Sequence, residues 1–94
     1  MRDVLTEEEW LRIGRQFGFT PRELQVVKAL FDGKSEEGIA AELRIKPGTV
    51  HKHLEKLRMK TGTTDRLSLA LFLVHTARRF RGEIPPPDDH LPGP

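Results

Sequence analysis

The groups in this 94-residue chain able to do chemistry are four histidines, sixteen lysines and arginines and fourteen carboxylates; cysteine is absent. Without a thiol there is no disulfide framework, no thiolate metal site and no cysteine nucleophile. His51 and His53 invite a metal reading, with His75 and His90 as further ligands. Two residues apart on a helix they diverge by about 200°, so they cannot share one ion. No hydroxyl nucleophile stands in a pattern with a base, no glycine-rich loop cradles a phosphate, and the carboxylates are scattered. The chain reads as a non-enzyme with neither metal nor cofactor.

Positive charge is the chemistry that remains, and it is concentrated. The net charge is only +2. Residues 44–60 carry Arg44, Lys46, Lys52, Lys56, Arg58 and Lys60 against Glu55 alone, and residues 61–81 add Arg66, Arg78, Arg79 and Arg81 against Asp65. The first 43 residues and the last 13 each hold a net −3. One contiguous half of the chain is therefore basic, the footprint of a protein that meets a polyanion.

The elements that position these charges are punctuated clearly. Thr6 to Glu9 and Thr20 to Glu23 each have the form of a capping box, the second with Pro21 at the first helical position. Trp10, Ile13 and Phe17 follow the first box at helical spacing; Leu24, Val27 and Phe31 follow the second. Gly18 and Gly33 are plausible stops. Ser35 caps a short third helix with Ile39, Ala40 and Leu43 on its apolar face. A fourth helix runs from Pro47 to about Thr61 and a fifth from Asp65 or Arg66 to Arg81. No segment alternates with period two, so the fold class is all-α. The tail from Gly82 to Pro94 holds five of the seven prolines and little to bury, and is expected to be disordered. The longest apolar run, Leu69 to Val74, is far short of the roughly 20 residues needed to span a bilayer. The amino terminus shows no signal-peptide pattern, which points to a cytoplasmic protein without membrane contact.

The informative unit is Ser35 to Gly62. A short helix, a turn at Arg44-Ile45-Lys46 and a longer basic helix have the anatomy of a helix-turn-helix, whose second helix enters the major groove. At about 100° per residue, Val50, Leu54 and Leu57 of that helix point inward. Gly48, Lys52, Glu55 and Met59 then point outward, with His51 and Lys56 on the flanks.

Phe19 to Val27, Gly33-Lys34-Ser35, Ile39 to Leu43, Thr49 to His53, Lys60-Thr61-Gly62 and Asp65-Arg66 together resemble the LuxR/GerE-type helix-turn-helix domain. That domain is shared with many response-regulator outputs, and the likeness covers about residues 19–77 without a gap. It implies a four-helix bundle that binds double-stranded DNA as a homodimer through its last helix. By position, base reading falls on His51, Lys52 and Glu55, and phosphate contact on Ser35, Thr49, Lys56 and Lys60. The chain departs from the family at Gly38, where an acidic residue is usual. It departs again at Lys46-Pro47-Gly48, where a serine cap is usual, and at Thr61, usually apolar.

The organisation expected is an accessory helix at 1–18, the helix-turn-helix domain at 19–81 and the proline-rich tail at 82–94. With no receiver or sensing segment ahead of it, the chain reads as a stand-alone transcription regulator. The last helix has two apolar stripes, Leu67, Ala70, Leu71 and Val74 on one side and Leu69, Phe72 and Leu73 on the other. A surface helix normally has one, so two stripes imply two partners, the second either a dimer mate or the accessory helix. Leu69, Phe72 and Leu73 are taken as the dimer or partner face, and Trp10, Ile13 and Phe17 as the contacts of the accessory helix. Arg78, Arg79 and Arg81 offer additional non-specific phosphate contacts. The alternative is a protein-interaction module that kept the fold and lost DNA, with Trp10 and Phe72 touching a protein partner and with Glu36, Glu37, Gly38 and Glu55 as its motive.

Overall fold

The structure, a computed structural model, describes residues 5–82. Five helices follow one another: α1 Glu7–Phe17, α2 Pro21–Phe31, α3 Glu36–Leu43, α4 Pro47–Thr61 and α5 Arg66–Phe80. Among the described residues there is no strand. The expected tail lies, Gly82 apart, outside them.

Local chemistry sets each helix end. The Thr6 hydroxyl accepts from the Glu9 amide at 3.1 Å while Glu9 accepts from the Thr6 amide at 2.9 Å. Thr20 and Glu23 repeat the arrangement at 3.1 and 2.9 Å. Asp65 accepts from the Ser68 amide at 2.8 Å and starts α5. Each reciprocal pair satisfies two amides that the helix itself leaves open. By contrast α4 begins at Lys46 with no side-chain cap, and Pro47 removes one of the amides that would have needed one. Arg44, which ends α3, is the one described non-glycine residue in the left-handed region, with φ 58°.

The core draws on all five helices. Ile13, Val26, Val27, Ile39, Val50, Leu57, Leu69 and Leu73 are fully buried, each worth about 1.5–3 kcal/mol relative to exposure. Packing of α4 against α2, α3 and α5 makes it the central helix. α1 lies chiefly on α5. Trp10 meets Phe31 edge-on, with ring centroids 4.9 Å apart, and Phe17 packs on Phe72 at 5.3 Å.

These contacts revise two expectations. Trp10 is 5% exposed, so it closes the monomer and is unavailable to a protein partner. Leu69 and Leu73 are 0% exposed and half-buried Phe72 packs on Phe17, so the two leucines belong to the core and are closed to a second chain. The physical reason is that α5 packs against both α4 and α1, with Phe17 of α1 meeting Phe72. The exposed apolar side chains of α5 are Leu67, at 68%, and Leu71, at 60%.

Candidate nucleic-acid interface

Three inward residues orient α4. Val50, Leu54 and Leu57 are at most 2% exposed, which fixes the helix about its axis and turns the opposite side outward. On that side Gly48, Thr49, His51, Lys52, Glu55, Lys56 and Met59 are all exposed, Met59 to 80%. Nothing lies within 4 Å of the place a Cβ would occupy on Gly48, so the start of the helix leaves room for another backbone. His53 is half-buried beside this face.

The helix that crosses in front of α4 is held from both ends. The Ser35 hydroxyl accepts from the Gly38 amide at 3.1 Å. A Cβ at Gly38 would stand 3.3 Å from the same hydroxyl oxygen, a tight contact that the glycine avoids. Lys34 reaches Glu42 at 2.5 Å, and its carbonyl accepts from the Arg66 guanidinium at 2.6 Å. The second contact ties the start of α5 to the turn before α3.

The outward face carries its own electrostatics. His51 Nδ1 stands 3.6 Å from the Glu36 carboxylate of α3, and its Nε2 stands 3.4 Å from Glu55, one turn along α4. Lys52 and Lys56 are exposed and have no carboxylate within ion-pair distance among the described residues. The arrangement is a protruding helix with two open ammonium groups, a histidine set between carboxylates, and a carboxylate acceptor. Long flexible cations beside a fixed acceptor suit hydrogen bonding to base edges and phosphates.

The structure brings His51, Lys52 and Glu55 together on one surface, with Thr49 and Lys56 alongside. Lys60 departs from them. Its ammonium donates to Glu23 at 2.6 Å and to the Gly18 carbonyl at 2.9 Å, so it is engaged by α2 and the end of α1, unlike Lys52 and Lys56. Arg81 is likewise engaged, forking onto Glu9 at 2.6 and 2.7 Å. Thr61, unusual for its apolar position, is accommodated because its hydroxyl donates back to the Leu57 carbonyl at 2.9 Å.

Sequence reasoning places Leu67 and Leu71 on one stripe of the last helix without making them a partner face. The signal was present: the stripe through Leu69 and Leu73 continues to the buried Thr76 and Ala77, whereas the stripe through Leu67 and Leu71 runs on to exposed His75 and Arg78.

The family model for bacterial regulatory proteins of the luxR family matches residues 18–73, from the end of α1 to the middle of α5. The chain belongs to the luxR family. Among curated relatives, the transcriptional regulatory protein UhpA of Escherichia coli is 43% identical over 60 residues. UhpA of Salmonella typhimurium gives the same figure. The alignment covers 64% of this chain and 31% of each relative. No solved structure matches the chain at a significant level. Within this luxR-family chain, α1 and the last turns of α5 lie outside the family match; α1 meets those turns through Arg12 on Phe80 and Glu9 on Arg81, and the matched region through Trp10 on Phe31 and Phe17 on Phe72.

Proposed function

We propose that this luxR-family chain is a DNA-binding transcription regulator in which α4 enters the major groove while α3 crosses the phosphate backbone. The observation that carries the reading is the outward face of α4, polar, exposed and cationic at Lys52 and Lys56 while the opposite face is fully buried. The names of the two UhpA relatives, both transcriptional regulatory proteins, agree with it. Lys52 donates to guanine O6 and N7, Glu55 accepts from cytosine N4, and His51 reads beside them. Thr49 and Lys56 contact phosphate, as does the amino terminus of α3 at Ser35.

Two chains act together through α5. Leu67 and Leu71 stand one turn apart on its exposed side, 68% and 60% open to solvent, and supply the self-complementary apolar patch a two-fold contact needs. Two-fold symmetry sets the reading helices about 34 Å apart, one turn of duplex. Such a regulator works in the cytoplasm, beside the chromosome.

Fluorescence anisotropy of a short mixed-sequence duplex, titrated across a salt series, tests the reading. The expected result is a steep loss of affinity with salt, equivalent to about four or more neutralised phosphates per protomer. Lys52→Ala is expected to weaken binding to a selected site about tenfold with the helical spectrum intact. Undiminished affinity in that variant, or no binding by the folded parent at low salt, overturns it.

A further inference from the structure

We propose that Glu36 is a specificity-determining residue of this interface: it holds His51 on the protein as an internal stand-in for phosphate, which a duplex must displace. The proposal rests on the reading of α4 as the DNA-facing helix and adds to it how generic binding is restrained.

Each nitrogen of the His51 ring faces a carboxylate, Glu36 of α3 at 3.6 Å and Glu55 of α4 at 3.4 Å. Among the described residues these are the only carboxylates within ion-pair distance of the ring. Neither contact serves the core, because the histidine and Glu55 side chains are 55% and 52% exposed and that of Glu36 is 36% exposed. Glu36 also occupies the first position of α3, where open amides and the helix dipole favour an anion. A DNA phosphate arriving at the same place thus meets a carboxylate that competes with it twice, for His51 and for the amino terminus.

The consequence is selective. A duplex of arbitrary sequence offers only phosphates, and Glu36 subtracts from their attraction. A duplex that also offers base edges to Lys52 and Glu55 adds contacts that Glu36 does not oppose. Discrimination built from a penalty on the wrong partner is the general logic of specificity.

The test is Glu36→Gln, which keeps shape and removes charge, measured by anisotropy on the mixed-sequence duplex across salt. Affinity is expected to rise about three- to tenfold at low salt, and the salt slope to steepen by about 0.9, one further phosphate. His51→Ala in that background is expected to erase most of the gain, a coupling that a structural role would not produce. Glu37→Gln, the same charge change one residue on, gives a smaller rise indifferent to His51→Ala. An equal gain from both glutamines, a gain that survives His51→Ala, or an unchanged slope overturns the role of Glu36 while leaving DNA binding in place. If parent and Glu36→Gln are both folded by circular dichroism and both fail to bind at low salt, the DNA reading falls and this proposal with it.

Discussion

Lys60 and Glu23, 37 residues apart, meet at 2.6 Å, and the same ammonium donates to the Gly18 carbonyl at 2.9 Å. One cation therefore fastens α4 to α2 and to the turn that ends α1. The Glu23 side chain is 2% exposed. Burial pushes its carboxyl up, but the Lys60 ammonium and the Thr20 amide outweigh that and hold it below the usual carboxylate range.

Lys60→Met is expected to cost about 2–4 kcal/mol of stability, because it strands a buried carboxylate. Urea unfolding monitored at Trp10 measures the loss. The salt slope of duplex binding is expected to stay where it was, since Lys60 is engaged by α2 and the end of α1. A slope reduced by about one ion, with little change in stability, would return Lys60 to the phosphate-contacting group.

Acid stability should register the α1–α5 clasp. The Arg81 guanidinium, with help from the Thr6 amide, holds the Glu9 carboxyl at about 2 instead of the ordinary 4.5. The unfolded chain takes up this proton near pH 4.5 and the folded chain only near pH 2. Stability from this group is then fully present above about pH 4.5 and drains away as pH falls toward 2. Arg81→Gln is expected to lower stability at neutral pH by about 1 kcal/mol and to flatten that part of the acid profile. Thermal melts from pH 7 to pH 2 read both effects.

The turn of the helix-turn-helix contains a removable strain. Arg44 has φ 58°, a conformation that a side chain disfavours and glycine accepts freely. Arg44→Gly is expected to stabilise by about 0.5–1 kcal/mol after the added freedom of the unfolded chain is counted. Arg44→Val should destabilise by more than that, since branching at Cβ worsens the same clash. An unchanged melting temperature in both variants would mean that the turn relaxes around any residue.

The two stripes of α5 should separate cleanly. Leu71→Glu is expected to shift sedimentation from dimer to monomer while leaving the helical spectrum intact, because Leu71 is 60% exposed. Leu73→Ala is expected to cost about 2–5 kcal/mol of monomer stability, because Leu73 is fully buried. A parent that sediments as a monomer at all concentrations would remove the dimer from the proposed function.

Much of this architecture was legible because helix boundaries carry local chemistry. The Thr6-to-Glu9 and Thr20-to-Glu23 boxes, Pro21, Pro47 and Asp65 state their roles within three residues, and the structure places helix starts there. The facing of α4 was legible too, since Val50, Leu54 and Leu57 leave one rotation about the axis. What failed was pairing at a distance. Periodicity gives α5 two apolar stripes without saying whether the second meets a dimer mate or the accessory helix; Leu69 and Leu73 are buried and Phe72 meets Phe17 of that helix. Lys60 failed for a similar reason: a lysine on a basic helix reads as a phosphate contact until a buried acid 37 residues earlier is known to need it. Glu36 and His51 are separated by a helix end and a turn, and only their juxtaposition gives either one a meaning.

The seat of α1 on α5 also dictates an order of assembly. During synthesis α1 is made before the other four helices, yet the surface it rests on is completed only when residues 66–80 have been added. An eleven-residue helix is marginal alone in water, so α1 waits, and α2, α3 and α4 can consolidate around Val26, Ile39 and Val50 before it docks. Made before the surface it docks on, α1 joins the fold only after α5 exists, and by the same token it is able to lift off without unmaking the contacts of α4 with α2 and α3. Amides of α1 should accordingly exchange with solvent through a smaller opening than those of α4, which lies beneath nothing that must come off last.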